Sequence, residues 1–380
     1  MRPANVADFR EMARRRLPKM LFEYIDGGSY AEVTLGRNVA DLEAIALRQR
    51  VMRDMTELSM GVDVLGQKLA MPLALAPVGM AGMYAHRGEV QASRAATAAG
   101  IPLCLSTVSI CSLEEVAATG TAPWYQLYML KDRGYMRELL ARAKAVGSKA
   151  LFFTVDLPVA GSRYRDVRSG FTGGSPLEGA LARGWQGAAR LDWTWDLFMR
   201  GRPHTLGNIE AAVPDRKGVM DFLSWTGRNF DRSVTWKDIE WVRETWDGPI
   251  VLKGVLDVED AKMARKAGAD GLVVSNHGGR QLDGVKSSIA ALPGIVDAVG
   301  DKMEVLMDGG VRSGLDVLKA LALGAKACLI GRAWAFALGA GGEKQVTRML
   351  EIMRAELAVA MILTGCNDVA KAGRELLDKD

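Results

Sequence analysis

The 380-residue chain reads as one α/β domain over residues 1–380, a TIM-type (β/α)8 barrel with an N-terminal helical segment and a long insertion, about 170–235, after the fourth strand. Three observations predict it. Eight short apolar runs recur, each ending in small or polar residues, and amphipathic stretches lie between them, as buried parallel strands require. The GxGxxG spacing that usually follows the first strand of a doubly wound nucleotide-binding sheet is absent, and so is GxxxxGK[ST]. Both rival architectures lose their main support.

The runs are LALAPVG from Leu73, PLCLS from Pro102, WYQLYML from Trp124, LFFTVD from Leu151, IVLKG from Ile250, GLVVSN from Gly271, EVLMDG from Glu304 and ACLIGR from Ala327. Between them, RGYMRELLARAKAVG, VEDAKMARKAGA and GLDVLKALALGA have helical spacing, with a glycine at or near the end to stop the helix. Between Asp156 and Ile250 lies far more chain than one crossover helix needs. Seven of the nine tryptophans (Trp185, Trp193, Trp195, Trp225, Trp236, Trp241 and Trp246) fall there, with arginines and glycine-rich pieces such as residues 171–174. An insertion after strand four sits on the face where barrels keep their active sites, so a lid, a subunit contact and a membrane-touching patch all fit it.

Composition narrows the function classes. The chain is 49% hydrophobic and 25% charged, ordinary for a folded globular protein, and its net charge of +4 is too small to point to nucleic acid. Residues 69–85 are uncharged but interrupted by Pro72, Pro77, Gly79 and Gly82, where a spanning helix needs about 20 continuous apolar residues. The start, MRPANVADFREMARRR, puts charges where a secretory signal needs an apolar core. Cys104, Cys111, Cys328 and Cys366 have no CxxC or zinc-type spacing. They read as structural thiols in a reducing compartment, and no metal site is expected.

Reactive side chains of a barrel project from the C-terminal ends of its strands. The polar residues there are Ser106 after strand two, Gln126 and Tyr128 in strand three, Thr154 and Asp156 after strand four, and Lys253 at the end of strand five. Strand six delivers Ser275, Asn276, His277, Gly278, Gly279 and Arg280; strand seven delivers Asp308, Gly309, Gly310, Val311 and Arg312; strand eight delivers Gly331 and Arg332. The last two groups occupy the loops where barrels commonly hold phosphate on backbone N–H groups. His277 is the histidine in a glycine-rich loop after a strand, and imidazole is the natural proton acceptor near neutral pH. Asp156 is placed to orient it across the barrel mouth. Arg163 and Arg280 could converge on one small carboxylate, which a guanidinium fork matches, although neighbouring Arg165 and Arg168 compete for that role. A buried Lys253 should face an anion: a charge at about 4 Å is worth about 4 kcal/mol at an effective dielectric near 20, against roughly 1 kcal/mol for a neutral hydrogen bond. A cofactor that becomes anionic in turnover and a structural ion pair both satisfy that need.

Taken together, LPKMLFEYIDGGSYAEVTLGRN, LALAPVGMAGMYAHRGE, WYQLYML, FTVDLPVAGSRYRD, SNHGGRQLDG and DGGVRSGLDVLKALALGA resemble the FMN-dependent α-hydroxy-acid dehydrogenases and oxidases, above all bacterial respiratory L-lactate dehydrogenases. The likeness spans nearly the whole chain. It implies oxidation of an L-2-hydroxy acid such as L-lactate, with glycolate and mandelate as alternatives on the same scaffold. Tyr24, Tyr128, Arg163 and Arg280 would bind substrate, with Tyr128 at the reacting centre beside His277 as base and Asp156 behind it. Pro77, Val78, Gly79, Ser106, Gln126, Thr154, Lys253 and Ser275 would line the flavin, and Asp308, Gly309, Gly310, Val311, Arg312, Gly331 and Arg332 would bind its phosphate. Whether the base takes the hydroxyl proton or the Cα proton stays open. The resemblance further implies a homotetramer, quinone or another carrier as electron acceptor, and peripheral attachment to the cytoplasmic side of the inner membrane, with a soluble cytoplasmic enzyme as the alternative.

Overall fold

The structure is a computed structural model that describes residues 2–173, 176–201, 203–213 and 219–378. Eight parallel strands form one sheet: β1 (Leu73–Leu75), β2 (Cys104–Ser106), β3 (Trp124–Tyr128), β4 (Leu151–Thr154), β5 (Ile250–Val255), β6 (Gly271–Val274), β7 (Glu304–Asp308) and β8 (Cys328–Ile330). Each pairs with its neighbour in chain order, and β8 pairs with β1. A parallel bridge between Leu75 and Leu103, with Leu75 N–H donating to Pro102 O at 3.0 Å, closes the barrel. All eight expected runs are strands. The expected helices form at Arg133–Ala145, Val258–Lys266 and Gly314–Ala322. The glycines beyond them, Gly147, Gly268 and Gly324, have φ of 83, 86 and 100°, so their backbones reverse in the region glycine enters without strain.

Alternation along the strands explains how the barrel is filled. Ala74, Cys104, Trp124, Phe152, Val251, Val273, Leu306 and Leu329, one from each strand, form a buried cluster with Val62, Val64, Leu65 and Leu69 of a two-stranded hairpin. Side chains two residues apart share a face. The next inward layer toward the strand C-termini is therefore Ala76, Ser106, Gln126, Thr154, Lys253, Ser275, Asp308 and Gly331, and every candidate polar residue among them is buried. An apolar plug thus carries a polar floor.

Three N-terminal helices, α1 (Val6–Arg16), α2 (Lys19–Asp26) and α3 (Val33–Ala44), precede the barrel. Asn5 caps α1 by accepting from Asp8 N–H, and α1 buries Val6, Phe9 and Ala13. Beyond β4 the chain forms helices Tyr164–Arg168, Pro176–Ala188 and Leu191–Thr194, a wider turn at Trp195–Met199, and helix Val219–Asn229 before the outer helix Asp238–Thr245. Part of the segment expected as the insertion, residues 174–175, 202 and 214–218, lies outside the described residues. The rest is clamped to the barrel mouth: Asn208 Oδ1 accepts from Leu113 N–H at 2.8 Å, and its Nδ2 donates to Ser106 O at 3.1 Å. The tryptophans divide. Trp193 and Trp246 are buried, whereas Trp185 and Trp195 are 78% and 62% exposed.

Candidate active site

A cavity of about 500 Å³, within the usual size of small-molecule sites, opens at the C-terminal ends of the strands. Its walls carry five cationic side chains (Arg163, Lys253, Arg280, Arg312 and Arg332) and two carboxylates, Asp166 and Asp308. The excess of positive charge suits an anionic occupant. Tyr24, Pro77, Val78, Gly79, Tyr128, His277, Gly309, Gly310, Val311 and Gly331 border the same space.

His277 and Asp156 meet as the sequence suggested. Nδ1 of His277 lies 3.0 Å from Asp156 Oδ1 and 3.2 Å from Oδ2. Burial pushes Asp156 up, but His277 and Lys253 outweigh it and hold the carboxyl below its ordinary range. An ionised Asp156 only accepts, so Nδ1 carries the proton and Nε2 keeps its lone pair. His277 itself is pushed below the ordinary imidazole range, first by burial and further by Lys253 and Arg163, although Asp156 pulls the other way. It is therefore neutral near pH 7. Its backbone is left-handed, with φ of 57°, and the two glycines that follow share that conformation, which turns the ring back over the barrel.

Two guanidiniums converge around Tyr24 of α2. The Arg280 and Arg163 guanidiniums stand 4.7 and 5.7 Å from its ring centroid. Arg280 donates to Tyr24 O and, at 3.0 Å, to Gly27 O. The nearest carboxylate oxygen to Arg163 among the described residues is Asp166 Oδ2 at 3.9 Å, and Arg163 Nε is buried without a hydrogen-bond partner. Burial and then Arg280 push Arg163 below its ordinary range, which an arriving anion relieves. The competitors are occupied elsewhere. Arg165 pairs with Glu23 and Asp26, and Arg168 lies over the Tyr164 ring.

Some expectations need correction. Lys253 does not end its strand: β5 continues to Val255, and the register shifts between Lys253 and Val255. Its ammonium donates to Ser275 Oγ at 3.2 Å and pairs with Asp308 Oδ2 at 2.8 Å. The Asp308 side chain therefore faces the lysine, where a carboxylate belongs, rather than a phosphate of its own sign. Arg332 is tied to backbone: Nε donates to Ile25 O, Nη1 to Gly278 O and Nη2 to Gly27 O, at 2.9, 2.7 and 2.7 Å. Ser106, Gln126, Thr154, Ser275 and Asp156 are not among the residues bordering the cavity. Ser106 Oγ donates to Gln126 Oε1 and Gln126 Nε2 to Thr154 Oγ1, both at 3.0 Å, so these side chains form the floor beneath it.

The residues present suit a flavin mononucleotide. Asp308 Oδ1 is buried with no partner and waits for a donor, and Lys253 supplies a buried cation beside it. Gly331 precedes the ten-residue helix Arg332–Gly341, whose N-terminus opens on the cavity and favours an anion. Arg312 borders the same cavity, its Nη1 donating to Val311 O at 2.9 Å, and burial pushes it below its ordinary range, which an arriving anion relieves.

Three contributors escape the sequence argument. Gly254, with φ of 112°, makes room for Asp156: a Cβ there would stand 2.5 Å from Asp156 Cβ and Cγ. A glycine in an otherwise apolar strand was the available signal for such a bulge. Gln281 ties the loop carrying Asp156 by donating to Asp156 O at 2.7 Å and Val159 O at 2.9 Å. Finally, Val167, Phe171, Thr226, Gly227 and Phe230 from the long segment after β4 wall the cavity above Tyr24 and Tyr128, and no local pattern announces them.

Comparison with known proteins follows the same lines. A family model described as FMN-dependent dehydrogenase matches residues 13–379. The chain is 56% identical over 377 residues to an L-lactate dehydrogenase of Caulobacter sp. (strain K31), covering 99% of this chain and 98% of that one. It is 55% identical over 374 residues to an L-lactate dehydrogenase of Pseudomonas aeruginosa (strain LESB58), covering 98% and 97%. Among solved structures, the monotopic membrane protein (S)-mandelate dehydrogenase superposes with a TM-score of 0.92 at 32% identity, over 100% of both chains. A mandelate oxidase with (S)-4-hydroxymandelic acid gives 0.85 at 40%, over 99% and 98%.

Proposed function

This chain belongs to the FMN-dependent dehydrogenase family, and on that premise we propose that it oxidises L-lactate to pyruvate as a respiratory L-lactate dehydrogenase. The observation that carries the site assignment is the neutral His277, held by Asp156, beside two guanidiniums that converge over Tyr24.

FMN, when bound, accepts two electrons from the substrate. Arg163 and Arg280 hold the lactate carboxylate, with bidentate forks fixing its plane. Tyr24 and Tyr128 offer phenolic hydroxyls to the carboxylate and the substrate hydroxyl. Burial pushes Tyr128 above its ordinary range, so it remains a protonated donor. His277 takes a substrate proton on Nε2, and Asp156 stabilises the imidazolium that results. Pro77, Val78 and Gly79 would line the ring over the floor of Ser106, Gln126, Thr154 and Ser275, and Lys253 would supply a fixed cation to stabilise negative charge on it. Gly309, Gly310, Val311, Gly331 and Arg332 would hold the phosphate through backbone N–H groups with Arg312 as the nearby cation, and Asp308 would accept from the polar chain of the cofactor.

The enzyme passes its electrons to a quinone from the cytoplasmic face of the inner membrane, docked through the segment after β4. Leu181, Trp185, Leu191, Trp195 and Met199 there are all more than 60% exposed, and no helix among the described residues is long and apolar enough to cross a membrane. This is the surface expected of a protein that lies on a bilayer.

Anaerobic mixing of the yellow protein with L-lactate, glycolate and (S)-mandelate in turn tests the substrate assignment. L-Lactate should bleach the flavin fastest, and a D-lactate control should not bleach it at all. Bleaching by (S)-mandelate with none by L-lactate would transfer the assignment to the aryl substrate.

A further inference from the structure

The residue before His277 is held by a partner far away in sequence. Asn38 of α3 and Asn276 form a reciprocal amide pair: Asn38 Nδ2 donates to Asn276 Oδ1 and Asn276 Nδ2 donates to Asn38 Oδ1, both at 2.8 Å. Both residues are buried. Asn276 Oδ1 also accepts from Gly279 N–H at 3.0 Å, closing the turn in which residues 277–279 all have positive φ. Asn276 Nδ2 further donates to Lys286 O at 3.2 Å, and Asn38 Oδ1 accepts from Ser288 N–H at 3.2 Å. A left-handed histidine is a strained conformation that persists only where its surroundings over-determine it. The amide pair supplies that determination.

Asn38 also meets the loop after β7. A Cβ on Gly310 would lie 1.9 Å from Asn38 O, and one on Gly309 would lie 3.5 Å from both Asn38 Cγ and Asn276 Oδ1. One helix residue thus packs against the loop that carries His277 and the loop at the phosphate end of the cavity. We propose that Asn38 is a positioning residue that couples the Gly309–Gly310 loop to the His277 turn, so that seating the cofactor and aiming the base are one event. The proposal rests on the roles assigned above to His277 and to that loop. The Asn38 amide is bonded to the His277 turn, while its backbone carbonyl and Cγ fill the space beside Gly310 and Gly309, so a shift of this one residue is felt by both loops.

The test uses Asn38→Ala, Asn276→Ala and their double variant, with Asn38→Asp as the size-conserving form that keeps the acceptor for Ser288 but loses the donor to Asn276. FMN affinity is titrated by flavin fluorescence on protein stripped of cofactor, and flavin reduction and the pH profile of kcat/KM are measured on the loaded enzyme. Each single variant should bind FMN about tenfold more weakly and reduce it roughly 10- to 100-fold more slowly, with KM changed less than about threefold. The acid limb should move up toward the solvent-exposed imidazole value as the ring loses its burial. The double variant should be no worse than the poorer single, because each amide serves the other. A lowered melting temperature with unchanged FMN affinity and pH profile would overturn the proposal, and so would additive effects in the double variant. If Asn38→Ala gives no folded protein, Asn38→Asp carries the same comparison. Because FMN affinity is measured without substrate, failure of wild-type protein to oxidise L-lactate would count against the substrate assignment and leave the coupling test standing.

Discussion

At the scale of single residues, the site works by setting charge states with burial and neighbours. His277 is held below its ordinary range by burial, and as the proposed base it can accept a proton only when neutral. The kcat/KM profile should therefore rise with pH through an acid limb lying below about 6.5, because at lower pH solvent protons occupy Nε2. Asp156 pulls the imidazole up, so Asp156→Asn should move that limb to lower pH while slowing turnover through loss of imidazolium stabilisation. A limb that stays in place or moves up in that variant contradicts the pairing. Gly254 offers an independent check on the same dyad. Gly254→Ala forces a Cβ to 2.5 Å from Asp156 and demands an unfavourable φ, so flavin reduction should slow by on the order of 10²-fold with the cofactor retained. A stopped-flow rate within twofold of wild type would show that Asp156 does not need that space. Lys253 and Asp308 form a buried ion pair whose rupture strands a charge. Lys253→Met should cost about 3–5 kcal/mol in denaturant unfolding, and adding Asp308→Asn should recover much of it.

At the scale of elements, the segment after β4 has two unlike faces. Its inner residues, Phe171 and Phe230 among them, wall the cavity, with the Phe171 ring tilted against Tyr24 at 4.9 Å and the Phe230 ring tilted against Tyr128 at 5.1 Å. Its outer face exposes Trp185, Leu191, Trp195 and Met199. Burying a large apolar side chain contributes about 1.5–3 kcal/mol, so replacing Trp185, Trp195 and Met199 with serine should weaken vesicle binding by well over tenfold while turnover with a soluble dye acceptor persists. Co-flotation equal to wild type would mean that this face serves another contact. Sequence alone showed the density of tryptophan but not its division, because which side of a short helix packs inward depends on the barrel beneath it. Trp193 illustrates the point: its Nε1 donates to Met83 O at 2.9 Å, a contact across 110 residues.

At the scale of the whole molecule, the strands were legible because each is a short buried run bounded by polar residues, and alternation then placed Ser106, Gln126, Thr154, Lys253, Ser275 and Asp308 on one inward layer. His277, Asp156, Arg163 and Arg280 could be picked out by their position after those runs, and all but Asp156 border the same cavity. What could not be read is whatever depends on distant partners: the pairing of Arg165 with Glu23 and Asp26 on α2; the turn of Arg332 toward backbone carbonyls; and the amides and glycines around His277 and Asp156. The barrel converts eight local patterns into one ring, and only the ring brings residues 24, 163 and 277 together. The proposed mechanism rests on His277 as the proton acceptor. The direct measurement is anaerobic stopped-flow reduction of His277→Gln by saturating L-lactate. The variant should retain a full flavin absorbance spectrum and lose roughly 10²- to 10⁴-fold in reduction rate, whereas reduction near the wild-type rate would contradict the assignment.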